Sequence, residues 1–450
     1  MTWDRVAAVE RQLDTYLETA GSASHRLAAD APLREGAQLT ARRALALFED
    51  QLASRQLDVA ARELKKTNRS FYTIGSAGHE NNATVGARLR IDDPAFLHYR
   101  SGAFMMARAR QLPGSTPILD TLLGVVASSE DPISQGRHKV WGSRALWVPP
   151  QTSTIASHLP KAMGLAFSLA RAKRLGVANG LPADAVVACS FGDASANHAT
   201  ALSAINTARY AVRLGQPMPL LLVCEDNDTG ISVPTPQGWI ADTFENQSHL
   251  AYFEADGEID DVWETVGAAI GHVRRSRQPA FLRLRTVRLW GHAGSDAEQS
   301  YRSLAEIEAV ERRDPLLRNA RRLIETGAAD PAMLTDLVRE TRERVLAVAE
   351  EAARRPRLQT TEEVVAPMAP DHPDRVALRA AIPIATPAER SASFGATLPE
   401  AGTTPTARTL AGLLNAALAD ELLRRPELLI FGQDVGRKGG VYNVTNGLQK

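Results

Sequence analysis

The chain is predicted to be an α/β protein: a doubly wound parallel sheet with flanking helices, preceded by an N-terminal helical arm. Three observations predict it. Short apolar runs at 185–189, 220–224 and 281–287 have the length of buried strands. A longer stretch of helical periodicity, 199–212, separates the first two. Strand, helix, strand in that alternation is the mark of a parallel sheet with helices on its faces.

The elements follow in order. Residues 1–60 read as helices, with apolar positions at Val6, Val9, Leu13 and Leu17 and again at Leu45, Leu47, Leu52 and Leu57. A break falls at 21–36, and the segment is read as a packing arm without chemistry of its own. The sheet domain is expected over 65–355. Residues 356–407 read as a linker, because the stretch 355–406 holds eight of the 25 prolines. Beyond it, 410–423 is expected to be a helix and 428–431 a strand. That tail is too short to bury a core alone.

Composition excludes several function classes. Of 450 residues, 52 are basic and 52 acidic, so no global charge favours nucleic acid or an acidic membrane. Two cysteines, Cys189 and Cys224, exclude a disulfide framework and a Cys-rich metal site, and both are expected in the core. The charged N-terminus is no signal peptide, and no long uncharged apolar run is present. A cytoplasmic protein with no membrane and no nucleic-acid partner is expected.

Ligands of such sheets sit at the carboxyl ends of the strands. There the sequence places Phe191-Gly192-Asp193-Ala194-Ser195 and Glu225-Asp226-Asn227-Asp228-Thr229-Gly230-Ile231-Ser232. Glycine lets backbone approach phosphate. A carboxylate and an amide oxygen from neighbouring strand ends supply the hard oxygen ligands that magnesium prefers beside phosphate. A lone Gly-Asp is usually a turn; the pairing of two strand ends carries the signal.

This pattern resembles the thiamine diphosphate motif, and its surroundings resemble the first component of 2-oxoacid dehydrogenase complexes, especially forms with α and β parts fused. The likeness covers about 65–310 as the α part and 408–450 as the opening of a second, β-type domain on the pyrimidine side. It includes His98-Tyr99-Arg100, residues 136–143, Gln151 to Pro160, Leu289 to Asp296 with Ser300-Tyr301-Arg302-Ser303, and, in the tail, 431–436 and 439–442.

The resemblance implies a thiamine diphosphate-binding fold. It assigns the metal ligands to Asp193, Asn227 and the carbonyl of Thr229. It assigns the cofactor contacts to Tyr99, Arg100, Ser153, Ile155, Gly192, Asp193, Ala194, Asn227, Ile231 and His292. His292 is the implied catalytic residue, on a loop of small residues that closes over its ligand. His79-Glu80 reads equally well as part of the site entrance or as packing, and His138 and His158 as pocket or buried structural groups. The implied cofactors are thiamine diphosphate and Mg2+. The implied reaction is oxidative decarboxylation of a 2-oxoacid, branched-chain first and pyruvate second, with acyl transfer to the lipoyl arm of a partner acyltransferase. The implied assembly is a dimer of fused chains in a multienzyme complex.

Departures accompany the likeness. Glu225 stands where the family often has a phosphate-touching arginine, and a second acid there weakens anion binding unless it points away. Ala293 replaces the serine that regulated relatives phosphorylate, and Gln433 replaces a usual glutamate. The glutamate that activates the cofactor lies beyond 450 in the family, so a fused chain is expected to run roughly 300 residues further. Two alternatives follow: a non-catalytic cofactor-binding or assembly subunit, and a transketolase-like carbon-transfer enzyme.

Overall fold

The computed structural model describes residues 4–71, 74–294, 296–369, 372–381, 385–394 and 408–449. They fall into two compact units, Met1–Ala170 with Gly180–Thr360 and Arg171–Asn179 with Thr361–Lys450.

The first unit is built on five parallel strands: β1 (Ala95–Phe96), β2 (Val187–Gly192), β3 (Leu220–Asp226), β4 (Ala251–Ala255) and β5 (Ala280–Arg285). Their spatial order is β1-β2-β3-β5-β4. Side chains alternate between faces. Val187, Cys189, Phe191, Leu220, Leu222, Cys224 and Phe281 enter one apolar cluster. Val186, Ala188, Leu221, Val223, Leu282 and Leu284 enter the other. Burial on both faces explains why β2 and β3 read as continuous apolar runs.

Among the helices are α1 (Arg5–Thr19), α2 (Ala41–Lys66), α3 (Leu159–Leu175), α4 (Ala199–Arg213) and α5 (Ile259–Ser276). The crossover β2–α4–β3 and the crossover β4–α5–β5 run in opposite directions across the sheet. Right-handed crossovers then place α4 and α5 on opposite faces. Their buried residues confirm it: Ala201, Ala204 and Ile205 lie in the first cluster, Val262, Val266 and Val273 in the second. The expected doubly wound α/β architecture is the one found.

α2 is buried over most of its length and carries polar groups inside. Fully buried Arg55 meets Glu80 at 2.7 Å and Asp314 at 2.9 Å. These ion pairs tie α2 to the segment that precedes β1 and to the start of the helix Pro315–Glu325. Both cysteines are buried, and burial pushes both thiols up, so neither offers a reactive thiolate.

In the second unit, a helix spans Leu410–Arg424 as expected. Residues 428–431 are not a strand. No described strand runs beside them to complete their backbone hydrogen bonds, and Phe431 is 89% exposed. The described part of the Pro-rich stretch forms short exposed helices, Thr361–Val365, Pro373–Ala380 and Pro387–Phe394, each opened or closed near a proline. Residues 395–407 lie outside the described part. Among the described residues no helix is long and apolar enough to cross a membrane.

Candidate active site

Gly192 at the end of β2 pairs in register with Glu225 near the end of β3. The two turns that follow are therefore neighbours. Asp193 and Ala194 leave β2 into a short helical turn, Ala194–Asn197. Asn227, Asp228 and Thr229 leave β3 through two local hydrogen bonds: Asp228 N–H donates to Asp226 Oδ1 at 3.2 Å, and Thr229 N–H to Asn227 Oδ1 at 3.1 Å. Such Asx turns let short polar side chains fold backbone where a strand ends. Asp228 and Ile231 take positive φ, 63° and 57°. Non-glycine residues in that region concentrate at functional sites. A Cβ on Gly230 would stand 2.6 Å from the Ala194 Cβ, so the two turns pack too closely for any larger residue.

Asp193 is buried, and burial with the nearby Asp226 charge pushes its carboxyl up to about 6. The Thr235 hydroxyl donates to it. A carboxyl disfavoured as an anion gains from a cation beside it. The oxygens of Asp193, Asn227 and Thr229 suit Mg2+ in type. Pro234 pairs with Thr229 across a short ribbon and has no N–H to offer its carbonyl. A Cβ built on Gly192 would meet only ordinary contacts, His98 Nε2 at 3.5 Å and Ser195 Oγ at 3.8 Å. A cavity of about 310 Å³ opens beside the Asn227–Thr229 turn, lined among others by Arg288, Tyr301 and Arg302. These residues fit a metal-bound diphosphate.

A second cationic group gathers at the His292 loop. Arg100 is buried, donates to the Gly75 carbonyl, and reaches His292 O at 2.9 Å and His292 Nδ1 at 3.3 Å. The Tyr99 ring lies edge-on to His292, centroids 6.0 Å apart. Burial and the Arg100 and Arg288 charges push His292 down to about 4, so it is neutral at pH 7. Asp296 pins the loop by accepting from His292 N–H and from the Tyr301 hydroxyl, each at 2.5 Å.

Sequence reasoning missed several residues. Arg288, 2% exposed, donates to Ile231 O at 2.7 Å and Tyr301 Oη at 2.8 Å, while its Nε has no partner among the described residues. An arginine inside the apolar run Val287-Arg288-Leu289-Trp290 was the available signal. Arg5 on α1 pairs with Glu298 and Glu311 and donates to Leu289 O, so the arm expected to be inert braces both ends of the His292 loop. That pairing spans about 300 residues and left no local signal.

The remaining expected residues stand apart. Ser153 and Ile155 lie in the loop between a short strand, Val148–Gln151, and α3, exposed and half-buried respectively. Ala156 in that loop has φ 71°. His158 fastens it beside β2, with Nε2 2.7 Å from Ser190 O. Ala194 and Ile231 are exposed. His138 is exposed; His79 and Glu80 are wholly buried. Glu225 turns away from the anion side, toward His79 Nδ1 at 2.7 Å and Asn82 Nδ2 at 3.2 Å. The feared clash with phosphate is thereby avoided. Ligand atoms of His79, His98 and Glu225 lie within 4.8 Å of one another. However, both His79 nitrogens already hold hydrogen-bond partners, and the Arg100 and Arg288 charges bear on it, which opposes a second cation.

Known proteins resemble this chain in sequence. The 2-oxoisovalerate dehydrogenase subunit alpha of Bacillus subtilis is 24% identical over 325 residues, 70% of this chain and 90% of that protein. The mitochondrial 2-oxoisovalerate dehydrogenase subunit alpha of Homo sapiens is 24% identical over 334 residues, 72% of this chain and 70% of that protein. A solved transketolase from Leishmania mexicana is 15% identical with a TM-score of 0.49, covering 91% of this chain and 58% of that one. Residues 49–361 match the family described as Dehydrogenase E1 component, and the chain belongs to that family.

Proposed function

We propose that the chain is the α-type half of a 2-oxoacid dehydrogenase that uses thiamine diphosphate and Mg2+, acts on a branched-chain 2-oxoacid, and passes the acyl group to the lipoyl arm of an acyltransferase. The observation that carries this reading is the register of Gly192 with Glu225, which sets Asp193 beside the Asn227–Thr229 turn, whose continuation at Ile231 is joined by Arg288 to Tyr301. The name of the Bacillus relative supports the branched-chain choice, with pyruvate second.

Thiamine diphosphate, when bound, supplies the nucleophilic carbon and the electron sink for loss of carbon dioxide. The residues of this chain do the rest. Asp193, Asn227 and the Thr229 carbonyl would hold Mg2+. Arg100 and Arg288 would offset diphosphate charge, each already oriented by backbone carbonyls. His292, neutral and held by Arg100, is placed to donate or accept a proton at its imidazole.

The test is decarboxylation of 3-methyl-2-oxobutanoate and of pyruvate by the chain combined with a β-type subunit. Turnover that needs both subunits and favours the branched acid supports the reading. Silence in a well-folded complex that still binds cofactor contradicts it and favours a non-catalytic subunit.

A further inference from the structure

Glu225 stands where the resemblance often has an arginine, and the structure gives it another task. It is fully buried at the end of β3, with Oε2 taken by His79 and Asn82 and Oε1 without a partner among the described residues. His79 Nε2 in turn lies 3.0 Å from Asn227 Nδ2.

The direction of every bond in this chain can be derived. Backbone N–H of Thr229 is a donor, so the Asn227 atom 3.1 Å away is the amide oxygen. The other end of that amide is therefore NH2, a donor. Its partner, His79 Nε2, must then be a bare acceptor, which puts the imidazole proton on Nδ1, facing the Glu225 carboxylate. Each member fixes the next, as outer-shell groups orient inner ligands. Were the Glu225 carboxylate absent, the imidazole could turn its N–H to Asn227, and the Thr229 N–H alone would hold the amide oxygen against reversal.

We propose that Glu225 and His79 are positioning residues that lock the Asn227 carboxamide with its oxygen, which keeps a free lone pair, presented to the cofactor's metal ion. The proposal rests on the cofactor reading above. It assigns no new ligand to the metal. It explains why an acid is tolerated at 225: the charge serves the amide, not the phosphate.

The experiment measures the Mg2+ concentration that half-saturates thiamine diphosphate binding, by calorimetry on the full chain. Outer-shell replacements weaken metal sites about 10–100-fold. H79L removes the acceptor, and its Mg2+ requirement is expected to rise by about that factor. H79Q restores an acceptor oxygen and a donor for Glu225, and returns it to near the wild-type value. In an N227D background the two ligand oxygens are alike and amide reversal is meaningless, so H79L adds nothing there. If H79L does not fold, E225Q serves: it fits either imidazole tautomer, and the Mg2+ requirement rises several-fold with Asn227 present but not with Asp. An unchanged requirement in these variants, or an equal rise in both backgrounds, overturns the positioning role while leaving the cofactor reading intact. A wild-type chain that binds no thiamine diphosphate with Mg2+ overturns both.

Discussion

The two sides of the site are built by different means. The floor, at the ends of β2 and β3, is positioned by backbone: strand register, two Asx turns and a glycine packed on Ala194. The wall, 288–302, has among its described residues no regular element longer than the turn Glu298–Ser300, and is held by side chains from Arg5, Arg100 and Arg288. A backbone-built floor is as stable as the sheet. A wall held by a few charged side chains opens at far lower cost. The difference fits a rigid cofactor platform beneath a loop that admits and releases substrate.

Four substitutions break or sharpen that contrast. The largest effect is expected from Arg55→Ala, which strips the buried carboxylates of Glu80 and Asp314 of their cation. It should cost about 3–5 kcal/mol in urea unfolding, because an uncompensated buried charge remains. Next, Asp193→Ala should abolish Mg2+-dependent binding of thiamine diphosphate while leaving the unfolding midpoint close to wild type. The same carboxyl predicts a pH effect. Its folded value of about 6 lies above the unfolded one, so the folded state holds an extra proton in between. Stability from this group falls as pH rises through about 6, whereas Mg2+ affinity rises over the same interval.

The wall variants should be smaller and local. Arg5→Ala should cost less than Arg55→Ala, about 1–3 kcal/mol, because Glu298 keeps Arg302 and only Glu311 loses its cation. Hydrogen exchange should nonetheless accelerate in 290–298 and stay slow in β2 and β3. Uniform acceleration in both regions would erase the contrast. The smallest effect is electrostatic: Arg100→Gln should raise His292 from about 4 toward the ordinary value, followed by the imidazole proton shift in NMR. In the wild type the unfolded chain binds a proton that folded His292 refuses, so this group's contribution to stability falls as pH drops below the ordinary histidine range, toward about 4.

Legibility in the sequence followed the same division. β2, β3 and β5 were readable because strands buried on both faces are apolar throughout, and the turns after β2 and β3 carry their own Gly, Asp and Asn. β1 has two residues and β4 is half-exposed at Ala251, Tyr252 and Phe253 and exposed at Glu254, so neither stands out from a loop. The 428–431 run was misread because apolar content does not make a strand without a neighbour to pair with. Asp193 and Asn227 were visible as motif residues. The Glu225–His79–Asn227 chain and the Arg5 brace were not, since they join residues 146 or more apart and depend on tertiary closure.

By the reading proposed above, the ends of β2 and β3 form a metal-dependent diphosphate platform in this chain. It is tested most directly by titrating thiamine diphosphate into the purified chain with Mg2+ and with a chelator, in wild type and in Asp193→Ala. The account predicts saturable heat with Mg2+ only, and none in the variant. Binding that ignores the metal, or that survives in Asp193→Ala, would contradict it.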